Sequence, residues 1–202
     1  MCIRDSFAYF NKEIGNSSAH GVRLRGLKVT MYDDASNIYF CEAEFLCANE
    51  SSLIHLCSIF RTLTKQAVFI KLKIVGDFHL DNIKTNKKIT EKGFQALTEQ
   101  FQTGVFPTLT EFSFTDFEFD EFPFLKFLEI SFSNNMTVQT LDLARNDIPS
   151  DLAMGILQRV YYNSYLRVLD ISGNDISTAE FKTEYIKPYF KYLHLPLISL
   201  SL

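Results

Sequence analysis

One eleven-letter phrase occurs twice in this chain. VQTLDLARNDI occupies 138–148, and LRVLDISGNDI returns at 166–176. Both fit L-x-x-L-x-L-x-x-N-x-L, filled by Val138, Leu141, Leu143, Asn146 and Ile148 and then by Leu166, Leu169, Ile171, Asn174 and Ile176. Repetition at so short a period means stacked units, because no single unit of that size buries its own apolar face. The spacing extends both ways. In LTEFSFTDFEF (109–119), one period before Val138, Leu109, Phe112, Phe114 and Phe119 hold the register and Phe117 replaces the asparagine. Leu195, Ile198 and Leu200 continue it one period after Leu166. Phe69, Leu72 and Ile74 give an earlier copy. The stretch from Phe69 to Leu109 is longer than the other periods, so 81–88 reads as an insertion. IYFCEAEFL (38–46) with 51–63 reads as one more degenerate copy, Ile38 standing where Phe69 stands in the next.

Each copy has a mechanical reading. The alternating core is a short strand with one buried face. The asparagine stands where the chain leaves the strand, and its amide is placed to pair backbone groups that would otherwise be buried alone. The rest of each period is helical. Leu152, Ile156, Leu157 and Val160 form one stripe after Ser150, a capping residue. Leu125, Leu128 and Phe132 form another, and Phe94, Leu97 and Phe101 a third that ends at Gly104. Ser177 and Glu180 make a capping box for a last helix, which Pro188 must stop.

LDLARNDI and LDISGNDI, each followed by a helix, resemble the ribonuclease-inhibitor type of leucine-rich repeat. The resemblance covers 105–202 firmly and 66–104 fairly. It implies an α/β fold, a right-handed β/α solenoid arc with parallel strands on the concave face and helices on the convex face. It also implies protein binding, in relatives as varied as ribonuclease inhibitor, immune sensors, a Ran GTPase activator and actin-filament regulators. Phe117 and Asp77 depart from the asparagine position, which limits the side-chain ladder to later copies.

The ends read as cuts. MCIRDS (1–6) resembles a translated sequencing adapter, 7–36 has no assignment, and 37–202 is the repeat array, ending in mid-repeat. More repeats of the same chain are therefore expected beyond this sequence. A net charge of −4 argues against general nucleic-acid binding, and no membrane span is visible. Apart from Cys2, the cysteines are Cys41, Cys47 and Cys57, spaced for reduced core thiols rather than a disulfide framework or a metal site. A cytoplasmic protein with no cofactor is the expectation. His20, His55, His79 and His194 are scattered and no catalytic motif occurs, so the chain is expected not to be an enzyme.

Function is expected on the strand positions that point away from the core. One row reads Lys73, Ser113, Asp142, Asp170 and Ser199, and its neighbours read Lys71, Glu111, Thr140, Val168 and Val75, Thr115, Ala144, Ser172. Asp116 and Arg145 flank them. The binding candidates are thus Lys71, Lys73, Glu111, Ser113, Asp116, Thr140, Asp142, Arg145, Asp170 and Ser172, with Asn146 and Asn174 as structural residues and another protein as partner. The aspartates read either as solvated or as facing a basic partner. Six lysines in 71–92 and six acids in 110–130 predict a basic end and an acidic middle. In the phenylalanine run 112–127, Phe112, Phe114, Phe117 and Phe119 read as core, while Phe122 and Phe124, where the coil enters its helix, are left open. A regulatory or docking segment of a larger enzyme or GTPase activator is the alternative reading.

Overall fold

The computed structural model describes residues 12, 20–33, 35–36, 38–64, 67–77, 88–132, 135–160, 163–176 and 199–201. Nine strands and four helices alternate along them. Seven strands form one sheet in the order β1 (Val22–Asp33), β2 (Ile38–Cys47), β3 (Ala67–Gly76), β5 (Glu111–Thr115), β7 (Thr140–Asp142), β8 (Val168–Asp170) and β9 (Ser199–Ser201). Two short strands, β4 (Lys88–Ile89) and β6 (Glu118–Phe119), pair in parallel as a second ladder. Between them run α1 (Glu50–Leu63), α2 (Glu91–Gln102), α3 (Glu121–Phe132) and α4 (Ser150–Val160). The result is an α/β fold in which each strand from β2 to β9 pairs in parallel with the next of its sheet.

The sheet is mixed rather than wholly parallel, which corrects the expectation from sequence. β1 runs antiparallel to β2. Only a short link, 34–37, joins Asp33 to Ile38. It is long enough for a hairpin and too short for the crossover that a parallel pair requires. The Asp33 carboxylate holds the link, accepting from the Ala35 amide at 3.1 Å and from the Ser36 hydroxyl.

Two registers also differ from the sequence reading. Phe69 of β3 lies opposite Cys41 of β2, not opposite Ile38, and an irregularity follows between Cys41 and Glu42. At the other end, Leu169 pairs with Leu200 instead of Ile198. Ser199 therefore lies beside Val168, and Ser201 takes its expected place beside Asp170. This second slip, by two positions, keeps every side chain on its own face, so hydrophobic periodicity cannot detect it.

All four helices cover one face of the sheet. α1 packs on α2, α2 on α3 and α3 on α4. Their buried stripes meet the inward strand residues: Phe60 of α1 lies 5.7 Å from Phe69, Phe94 of α2 6.1 Å from Phe114, and Phe127 of α3 6.4 Å from Phe112, centroid to centroid. α4 buries Leu152, Ile156, Leu157 and Val160 as expected. In α3 the stripe is centred differently, on Phe124, Phe127, Leu128 and Phe132, because the larger rings claim the interior and Leu125 packs at its margin. Ser150 is the first residue of α4, which puts Pro149 at the cap position, where its carbonyl accepts from the Ala153 amide. Gly104 follows α2 with φ +69°. The expected box of Ser177 and Glu180, the stop at Pro188 and the expected insertion 81–88 lie outside the described residues, except that Lys88 begins β4.

The phenylalanine run is core. Phe112, Phe114, Phe117 and Phe124 are buried, and only Phe122 is exposed among the rings of the run. Cys41, Cys47 and Cys57 are buried free thiols, and burial pushes the Cys41 thiol up to about 12.

One carboxylate joins adjacent helical layers. Glu50, in the first turn of α1, accepts at Oε1 from the Thr90 amide and hydroxyl, both at 2.7 Å, and from the Gly93 amide at 3.0 Å. It therefore serves as an N-terminal cap for α2 from outside that helix. Only glycine fits at 93, since a Cβ there would lie 2.7 Å from Ile89 Cγ2 and 3.0 Å from the Glu50 oxygen. Gly93→Ala is expected to destabilise the fold by about 1–2 kcal/mol in urea unfolding, the clash outweighing the ~1 kcal/mol helix preference of alanine. An unchanged or raised midpoint would refute this cap geometry.

Candidate functional site

The face of the sheet opposite the helices is uncovered by any described element, and the strand positions expected to point outward line it. Asparagine geometry holds its later strands in place. Asn146 donates through Nδ2 to the Phe114 carbonyl at 2.7 Å and the Leu143 carbonyl at 2.9 Å, while Oδ1 accepts from the Phe117 amide at 2.8 Å. Asn174 repeats this one layer on. Its Nδ2 donates to the Leu143 and Ile171 carbonyls, and its Oδ1 accepts from the Asn146 amide at 2.6 Å and the Ile148 amide at 3.1 Å. Each side-chain amide thus pairs backbone groups of its own layer and of the preceding one, as its sequence position implied.

A second asparagine pair was missed in the sequence. Asn135 and Asn163 stand at the same offset before Val138 and Leu166. Asn135 Oδ1 accepts from the Thr137 and Val138 amides, and Asn163 Oδ1 accepts from the Tyr165 and Leu166 amides. Asn163 Nδ2 donates back to the carbonyls of Phe132 and Asn135. The signal was their common spacing from the repeat. In the aromatic copy the positions of Asn135 and Asn146 are taken by Phe106 and Phe117, both buried.

Charges on the uncovered face are matched strand to strand. In register lie Lys28 of β1, Glu42 of β2, Lys71 of β3 and Glu111 of β5. Lys28 pairs with Glu42 at 3.2 Å and Lys71 with Glu111 at 3.0 Å. The hydrogen bond and charge of Glu111 hold the Lys71 ammonium above the usual lysine range. In the next row Arg25 pairs with Glu44 at 3.3 Å. Lys88 of β4 and Asp120, after β6, pair as well. The predicted basic end and acidic middle therefore interleave, because segments distant in sequence become neighbouring strands. Arg25 and Lys28 were not named from sequence because 7–36 had no assignment, and Glu42 and Glu44 because the register of β2 against β3 was misplaced.

The remaining candidates divide. Thr140, Asp142, Asp170 and Ser172 are partly exposed on the face. Ser113 is only 4% exposed, and Val75, Thr115 and Ala144 are buried too, so these four form floor rather than contact surface. These short side chains sit between longer ones on strands about 5 Å apart, which covers them. Asp142 and Asp170 pair in register, and each also works locally. Asp142 Oδ1 accepts from the Ala144 amide at 3.0 Å and Asp170 Oδ1 from the Ser172 amide at 2.9 Å. These bonds turn the chain out of the strand.

Asp116, Arg145 and Gly173 occupy one repeat position, and all three have positive φ, 66°, 57° and 66°. Arg145 grips Asp116 bidentately, Nε to Oδ1 and Nη2 to Oδ2, both at 2.8 Å. A Cβ at Gly173 would lie 3.0 Å from Arg145 Cγ, so glycine leaves room for the arginine stem. Partial burial alone would raise the Asp116 carboxyl, but hydrogen bonds and charge from Arg145 prevail and hold it below the ordinary value. Two shallow clefts open on the face. One of about 420 Å³ lies over β1, β2, β3 and β5, and one of about 330 Å³ lies between Arg25 and Arg145; Glu44 and Lys73 line both. Among the described residues no helix is long and apolar enough to cross a membrane, and no three potential metal ligands cluster.

Two expectations follow from this geometry. Asn146→Leu leaves the Phe117 amide and the Phe114 carbonyl buried without their partner, and is expected to cost about 2–4 kcal/mol in chemical unfolding. A loss below about 0.5 kcal/mol would remove the ladder from the account of stability. Asp116→Asn keeps a residue type that tolerates positive φ but removes the ion pair. Because the folded carboxyl titrates below its unfolded value, near 3.8, the stabilisation by the pair is complete above that pH and lost as pH falls through the lowered folded value. The gap between wild type and variant, about 1 kcal/mol or less for so exposed a pair, is expected to hold at pH 6 and close under acid. A gap independent of pH would exclude this origin.

No curated protein matches the chain. The leucine-rich repeat family model matches residues 134–150 and 162–179. Those two segments contain β7 and β8 and all four ladder asparagines, Asn135, Asn146, Asn163 and Asn174. Over these two segments, then, the chain carries leucine-rich repeats.

Proposed function

We infer that this chain is a non-catalytic protein-binding scaffold, built as a right-handed arc of ribonuclease-inhibitor-type repeats with the uncovered sheet face concave. One observation carries the reading. All four helices lie against one face, while the opposite face, contributed by every copy of the repeat, is left polar, charged and cleft. Leucine-rich repeats commonly serve as protein-interaction modules, and stacked repeats offer such a face as an extended surface. Its shallow clefts suit many modest contacts with another protein better than enclosure of a small molecule. Three buried free thiols favour a reducing, cytoplasmic setting. Arg145, the arginine leaving a strand end, is held by Asp116, which fits a structural and contact role rather than a catalytic one.

The test compares two faces. Partners captured by the immobilised chain from an extract of its source are expected to be lost with Lys71→Glu/Glu111→Leu on the sheet face. They are expected to be retained with Gln95→Glu/Lys126→Glu on the helical face. Loss only with the helical pair would overturn the reading and move binding to the convex side.

A further inference from the structure

Charge matching on the sheet face has one gap, and the gap is ordered. Lys28, Lys71, Arg25 and Arg145, which line the two clefts, each have an acidic partner within 3.3 Å. Lys73 lines both clefts and, among the described residues, is the cleft cation outside these ion pairs. Asp116 feels its charge but is engaged by Arg145, and Glu44, in register beside Lys73 on β2, is engaged by Arg25. Along the row of Lys73 the register continues through Ser113, which is buried, to Asp142 and Asp170. Two aspartates directly opposite each other repel; both feel the Arg145 charge, but neither joins an ion pair among the described residues. Arg25 takes up Glu44 at the near end of this row, and what the row leaves is a cation, a short neutral floor and a double anion.

Strand spacing sets the scale. Lys73 lies two strands from Asp142 and three from Asp170, roughly 10 and 14 Å. An extended chain rises about 3.3 Å per residue with alternate side chains on one face, so residues i and i+4 span that distance on the same side. We propose that this row binds an extended segment of a partner protein carrying an acidic and a basic residue four apart, the carboxylate on Lys73 and the cation on Asp142 and Asp170. The inference rests on the scaffold reading above and names the chemistry of its partner. The matched ladder on either side supplies no net attraction, so the unmatched row sets specificity while the clefts accommodate the flanking side chains.

The test is selection of a displayed library of random dodecapeptides on the whole chain, followed by affinity measurement of the winners. Enrichment of acid–base pairs four apart is expected, with affinity falling about tenfold in Lys73→Glu. Lys73→Glu is also expected to select basic–basic peptides. Asp142→Asn/Asp170→Asn keeps the oxygens that accept from Ala144 and Ser172, so the turns survive, and it is expected to abolish the requirement for the basic residue. Circular dichroism and unfolding midpoints confirm that each variant is folded. Winners that lack acid–base pairs but lose binding on Lys71→Glu/Glu111→Leu would overturn this inference and leave the scaffold reading standing. Winners indifferent to every sheet-face change would overturn both.

Discussion

Every layer of this fold faces one problem, which is how to turn a strand back through the interior without stranding its backbone amides. Asn146 and Asn174 solve it by donating to two carbonyls and accepting from neighbouring amides, so each layer is closed by the next. An unpaired buried backbone group costs about 1–3 kcal/mol, which makes the contact between layers directional as well as apolar. Strand register, the turns at Asp142 and Asp170, and the alignment of the uncovered face all follow from this stacking. Where the chain enters the strand, Asn135 and Asn163 accept from the amides there, and Asn163 also donates back to the preceding layer.

The aromatic layer departs from that solution at both positions. Phe106 and Phe117 replace the two asparagines, and Phe117 stacks on Phe114 at a centroid distance of 4.2 Å. The Phe114 carbonyl and Phe117 amide are still paired, but by Asn146 of the following layer. Hydrogen bonding thus supports the later half of the array, and ring packing around Phe60, Phe69, Phe94 and Phe127 supports the earlier half. A fully buried ring contributes on the order of 2–3 kcal/mol, enough to replace what an asparagine bond gives.

The uncovered face was harder to read. That Lys71, Lys73, Glu111, Asp142 and Asp170 point away from the core followed from alternation alone, and they do. Which charges neutralise each other did not follow, because Lys71 and Glu111 are distant in the chain and meet only through the β3–β5 register. Ser113 shows the other limit: alternation gives its direction, but its exposure depends on the length of side chains on both neighbouring strands. The misplaced register of β2 hid Glu42 and Glu44, since a degenerate copy with an irregularity at Cys41 keeps no countable spacing.

Some of this protein was therefore determined by sequence alone. Repetition of L-x-x-L-x-L-x-x-N-x-L forces parallel strands, inward apolar stripes and an asparagine ladder, because each requirement is local and recurs at a fixed spacing. The tertiary structure decided the rest: the antiparallel β1, the shift at Ser199, the centring of α3 on Phe124 and Phe127, and the ion pairs across strands. Those outcomes depend on loop length, ring volume and the meeting of distant segments. None of them leaves a periodic trace in the chain.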